Sequence, residues 1–110
     1  MTYSFGEVLI CKFPFSSNTG NKKRPVVVIN SANYKSTWGD LILLAITSKT
    51  QSENKLLISD WEDTGLYKPS AFKGQIFTLL KEDIYMNLGH LSDKDQKTLK
   101  QYLKQIIEIE

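Results

Sequence analysis

Apolar residues along the chain gather in short runs separated by polar, turn-forming stretches, a strand-like pattern that changes only near the C-terminus. Glu7 to Phe13 is rich in β-formers and ends at Pro14, followed by Ser16, Ser17, Asn18, Thr19, Gly20 and Asn21; this predicts a strand and then a long loop. Pro25 to Asn30 holds Val26, Val27, Val28 and Ile29, a continuous apolar run suited to a strand buried on both faces. Asp40 to Ile46 predicts a third strand, with Thr47, Ser48 and Lys49 as its polar exit. Lys55 to Ser59 predicts a shorter strand, and Ser70 to Leu80 a fifth, in which Gly74 marks a candidate bulge.

After Ser92 the period changes. Leu99, Tyr102, Leu103, Ile106 and Ile107 recur at helical spacing, and Ser92 with Asp95 three residues later forms a capping-box-like start. Five strands followed by a helix, with no repeat or linker, predict one domain over residues 1–110. It is α+β and mainly β, barrel-like, with a C-terminal amphipathic helix.

Composition narrows the setting. A chain of 110 residues can bury roughly two-thirds of its unfolded surface without staples. Cys11 is the only cysteine, which excludes an internal disulfide, and the opening MTYSFGEV lacks the pattern of a signal peptide; a cytoplasmic location is expected. The longest apolar run, Leu41 to Ile46, is far short of the roughly 20 residues of a membrane helix, so no membrane association is expected. Net charge is only +2, so any polyanion-binding role must come from clustering. Of the 14 basic residues all but Arg24 are lysines, and Arg24 closes the run Lys22-Lys23-Arg24 at the end of the polar loop.

Several chemistries lack their residues. One cysteine and one histidine cannot build a cysteine-histidine zinc site, and there is no HExxH pair. Gly20-Asn21-Lys22 lacks the upstream glycine and trailing hydroxyl of a phosphate loop, so no metal, nucleotide or other cofactor is expected. His90 reads as a surface or partly buried histidine ahead of the helix rather than as a catalytic base. The pairs Glu62/Asp63 and Glu82/Asp83 read as solvated loop charges. Lys22, Lys23 and Arg24 beside Asn18, Thr19 and Gly20 combine charge with hydrogen-bond donors, which suits phosphate binding, although on composition alone a solvated turn is the better reading.

Gly6-Glu7-Val8, Phe13-Pro14-Phe15, the polar loop, Lys23-Arg24-Pro25-Val26-Val27-Val28 and Ala45-Ile46-Thr47-Ser48-Lys49 follow one another in an order that resembles the MazF/PemK toxins. Lys68-Pro69-Ser70, Ile76-Phe77-Thr78 and Leu88-Gly89-His90-Leu91-Ser92-Asp93 extend the resemblance over nearly the whole chain. It implies an SH3-like antiparallel barrel of the CcdB/MazF kind, a homodimer and a cognate antitoxin. It further implies the toxin of a toxin-antitoxin system, which cuts single-stranded RNA at short sequences without a metal.

On the matching positions, Arg24 and Thr47 fall on the family's catalytic arginine and threonine. The resemblance places Phe15, Asn18, Lys22, Lys23, Ser48 and Lys73 as RNA-binding candidates, although Lys73 reads more readily as an exposed strand lysine. The chain departs from the family at Glu7, where aspartate is usual, and over Ser17 to Asn21, where many members carry an acidic residue or glutamine. Where one branch has an arginine and an aspartate for acid-base work, the sequence reads Phe72-Lys73-Gly74. Two other readings share the fold: a non-catalytic toxin that binds a protein, and an RNA-binding barrel in which Phe13, Phe15, Tyr34 or Trp38 stacks on bases.

Overall fold

A computed structural model describes residues 3–12, 22–34, 38–50 and 56–108. Its strands are β1 (Glu7–Lys12), β2 (Lys23–Val28), β3 (Asp40–Thr47), β4 (Leu56–Leu57), β5 (Ala71–Leu80) and β6 (Ile84–His90), followed by the helix α1 (Asp93–Ile106). They form one antiparallel sheet in the order β4-β5-β3-β2-β1-β6, which is mainly β with a C-terminal helix, as expected; the sheet is not closed.

Five strands were expected and six are present among the described residues. The addition, β6, follows β5 through a single 3-10 turn, Lys81–Asp83, and pairs with β1. Its residues include Asn87 and Gly89, and only Ile84, Leu88 and Gly89 are even partly buried. An edge strand with so little buried surface leaves neither an apolar run nor a clean alternation in the sequence. β2 also begins at Lys23, two residues before the apolar run, because Lys23 and Arg24 continue its ladder to β1 opposite Lys12 and Cys11.

Alternation along the strands divides the core in two. Val8, Val27, Leu44, Ile46 and Phe72 point to the face covered by Leu99 and Tyr102 of α1, with Ile58, Leu66 and Leu91 filling in from the connections. Leu9, Cys11, Val26, Val28, Leu41, Leu43, Ala45 and Phe77 point to the other face, where Tyr3, Leu79 and Ile84 pack against them. No helix covers that second face among the described residues. Side chains from one face of several strands can bury one another without a covering layer only if the sheet curls, the geometry underlying small barrels.

Curvature has a visible source. In the β3–β5 register Leu44 faces Ile76 and Ile46 faces Phe72, so Lys73, Gly74 and Gln75 span the ground of Ala45 alone. This is the irregularity that Gly74 suggested, and extra residues on one strand bend it and sharpen its twist.

α1 starts as its sequence predicted, with Ser92 Oγ accepting the Asp95 N–H at 3.2 Å. The box is not reciprocal, however. The Asp95 carboxylate accepts the Ser92 hydroxyl at 3.3 Å and, reaching beyond the helix end, the backbone N–H groups of Ser59 and Asp60, each at 2.8 Å. No helix among the described residues is long and apolar enough to cross a membrane.

Candidate functional site

Pro25 organises the site. It has no N–H to donate, so a strand carrying it can pair fully on only one side. On the β1 side the ladder of β2 runs unbroken through Ile10–Pro25 and Cys11–Arg24 to Lys12–Lys23. On the β3 side it runs only from Val28–Leu43 to Val26–Ala45. Past that last pair, the start of β2 and the end of β3 border a cleft lined by Lys23, Arg24 and Pro25 on one side and by Ile46 and Ser48 on the other. The cleft holds about 180 Å³. Pockets that enclose a whole drug-sized ligand begin near ~300 Å³, so this one suits a single unit of a longer molecule.

Carrying the β2–β3 register two residues beyond Val26–Ala45 sets Arg24 against Thr47. Both then share the sheet face of Val26 and Ala45, where the core gives way to solvent. Arg24 is exposed and Thr47 half-buried. Thr47 Oγ1 accepts the Lys49 N–H at 3.1 Å, which fixes the hydroxyl oxygen and turns its proton toward other acceptors. On the other side of β3, Thr47 pairs with Ala71 of β5. Lys73, two residues further and exposed, lies on the same face.

Lys22 is exposed just ahead of β2, and Lys23 Nζ stands 3.4 Å from the centroid of the Tyr85 ring, a cation–π contact between β2 and β6. Ser48 is exposed on the cleft wall. The expected Phe15 and Asn18 lie outside the described residues. The structure thus brings Lys23, Arg24 and Ser48 to one cleft, with Thr47 and Lys73 on the face beside it.

His90 is not among them. It faces Glu7 at the opposite end of β1 from Lys12, with Nδ1 3.0 Å from the Leu91 carbonyl and 3.3 Å from Gln96 Nε2. Glu62, Asp63, Glu82 and Asp83 are all exposed, as the solvated reading of those pairs expected. Among the described residues, no three His, Cys, Asp or Glu side chains gather as a metal site would require.

Below Arg24 on the inner face, Cys11 is fully buried. Burial, with a contribution from the Asp83 carboxylate, pushes its thiol up to about 11. It is therefore a packing residue rather than a nucleophile.

The sequence did not reveal the far wall of the cleft: Leu66, Tyr67, Lys68, Ser70 and Leu88. They lie on the segment between β4 and β5 and on β6. The apolar runs assigned no element to Leu66, Tyr67 and Lys68, reached only Ser70 as the start of the fifth strand, and missed β6. Lys68-Pro69-Ser70, one of the pieces that carry the family resemblance, was the available signal.

No curated protein sequence matches the chain. Among solved structures, it is similar to a MazE–MazF complex from Deinococcus radiodurans, with a TM-score of 0.73 at 13% identity over 100% of this chain and 99% of that one. It is also similar to an endoribonuclease in complex with its cognate antitoxin from a mycobacterial species, with a TM-score of 0.71 at 13% identity over 94% and 91%. At such identities the likeness establishes the fold alone. The sequence carries the assignment further: the model of the PemK-like, MazF-like toxins of type II toxin-antitoxin systems matches residues 4–107, and the chain belongs to that family.

Proposed function

We propose that this toxin is an endoribonuclease that cuts single-stranded messenger RNA at short specific sequences, without a metal ion. The observation that carries the reading is the placement of Arg24 and Thr47 on one face where the β2–β3 ladder ends, beside a cleft edged with cations. The ribose 2′-hydroxyl attacks the adjacent phosphorus and gives up its proton, negative charge grows on the phosphorane oxygens, and the P–O5′ bond breaks as the 5′-oxygen departs and takes up a proton. The products are a 2′,3′-cyclic phosphate and a 5′-hydroxyl.

Arg24 acts on the charge that develops. Its guanidinium offers a rigid fork of donors matched to two phosphate oxygens and stays protonated throughout, so it stabilises the phosphorane and does not serve as the base. Thr47, its oxygen already engaged by the Lys49 amide, donates its proton to a substrate oxygen and holds the phosphate in line. Lys22, Lys23, Ser48 and Lys73 supply further phosphate contacts, and Phe15 and Asn18 add contacts from the β1–β2 connection. The phosphate contacts set the register of the strand without reading its bases.

Two partners go with this reading. The similar structures are complexes with an antitoxin, and a cognate antitoxin of this chain inhibits it by covering the same cleft. A homodimer in the cytoplasm is the working form, which a molar mass twice that of the chain in size-exclusion light scattering would support.

The test is incubation of the purified protein with mixed-sequence single-stranded RNA in EDTA, followed by end-group analysis. Cleavage leaving 2′,3′-cyclic phosphate and 5′-hydroxyl ends is expected. Intact RNA at micromolar protein, across substrates containing every short motif, would overturn the proposal in favour of a non-catalytic, binding toxin.

A further inference from the structure

We infer that Tyr67 is a base-stacking residue of the cleft, holding a nucleobase beside the phosphate that Arg24 engages, with Lys68 next to it on the strand's backbone; this rests on the RNA reading of the cleft. Tyr67 is 83% exposed and lines the same cleft as Arg24. An exposed tyrosine alone is unremarked on any surface. What singles this one out is that the backbone on both sides of it is fixed.

On the N-terminal side, the Asp95 carboxylate holds the amides of Ser59 and Asp60. The turn that follows is closed by Thr64 Oγ1 donating to the Trp61 carbonyl at 2.7 Å and by the Leu66 N–H donating to the same carbonyl at 3.2 Å. That turn then seats on β6 through two glycines. Gly65 has a φ of +83° and lies so close to the Leu88 carbonyl that a Cβ would come within 2.7 Å, and a Cβ at Gly89 would come within 2.8 Å of the Thr64 carbonyl. Leu66, next to Tyr67, is anchored in the core.

On the C-terminal side, Ser70 Oγ donates to the Lys68 carbonyl at 2.9 Å, and the Ser70 carbonyl accepts the Ile58 N–H at 2.9 Å. Pro69 stiffens the link between them. Tyr67 and Lys68 therefore project from a segment clamped to the helix, the core and β4.

A tyrosine presented this way orders only two side-chain torsions when a planar partner lands on its ring. Single-strand sites pair such platforms with cations that follow the backbone. Lys68, the next residue in the chain, and Lys23 and Arg24, all lining the same cleft, supply those cations. Tyr85 does not duplicate the role, because Lys23 already occupies a face of its ring.

The experiment compares two uncleavable probes, a randomised 2′-O-methyl RNA octamer and an abasic octamer with the same phosphates, against the native protein, Tyr67→Ala and Tyr67→Phe. Stacking of one base contributes about 1–3 kcal/mol, so Tyr67→Ala should weaken binding of the base-bearing strand at least fivefold. Binding of the abasic strand should stay unchanged, and Tyr67→Phe should restore affinity. Equal loss on both probes, no loss, or no preference of the native protein for the base-bearing strand overturns the inference. Cleavage of unmodified RNA, measured in parallel, reports separately on the catalytic proposal. A protein that cleaves RNA but shows no Tyr67 effect fails only the stacking assignment, and one that shows the Tyr67 effect but leaves RNA intact fails only the cleavage.

Discussion

Asp95, on the first turn of α1, accepts the backbone N–H of Asp60 at 2.8 Å from 35 residues away in sequence. Its other oxygen accepts the Ser59 N–H at the same distance, and the residue is fully buried. One carboxylate thus joins the helix to the segment that forms the far wall of the cleft. Hydrogen bonds to a charged acceptor are each worth about 1.5–3 kcal/mol, and Asp95→Ala strands two amide donors. We expect a loss of about 3 kcal/mol in urea denaturation. Asp95→Asn should fall between the two, because its NH2 group cannot accept.

Arg24 is exposed at the start of β2, so its side chain adds little to the core. Arg24→Ala should leave the thermal midpoint nearly unchanged while RNA cleavage falls at least ~100-fold, the scale of a lost transition-state charge contact. Arg24→Lys keeps the charge but loses the fork, and should recover only part of the rate. Retention of full cleavage by Arg24→Ala in a single-turnover assay would place the active site elsewhere.

Local patterning revealed β1 to β5 and α1, because all but the two-residue β4 bury enough apolar surface to impose a period on their sequence. β6 escaped because, as an edge strand, it buries little. Arg24 was conspicuous as the lone arginine, and Pro25 after it proved to mark the place where the β2–β3 ladder ends. What could not be read is the pairing of walls. Tyr67 and Lys68 reach the cleft through Asp95, Gly65 and Gly89, three contacts between segments distant in sequence, and no local period records a distant contact. The capping box misled in part for the same reason, since Asp95 serves a remote loop more than its own helix.

Cys11 offers a test of the inner face. With its pKa at about 11, roughly one thiol in a thousand is ionised at pH 8. Iodoacetamide should therefore label the native protein far more slowly than the urea-unfolded chain; equal rates would mean that the face opens readily. The pH dependence has a definite sign. Below the ordinary thiol value of 9.0 the folded and unfolded states are both protonated, and Cys11 contributes nothing. Between 9 and 11 the unfolded chain releases a proton that the folded one keeps, so stability declines as pH rises through that window.

Lys73 separates phosphate contact from base contact. It lies on the face of Thr47, two residues beyond Thr47's partner Ala71. A lysine that neutralises one phosphate of a single strand contributes about 0.7 to the slope of log K against log salt. Lys73→Ala should flatten the slope by that amount and weaken base-bearing and abasic probes alike, whereas Tyr67→Ala should leave the slope intact and act only where bases are present. An unchanged slope would make Lys73 an exposed strand lysine with no part in binding. The charge holding the strand would then come from the β2 side of the cleft, where Lys22, Lys23 and Arg24 stand together.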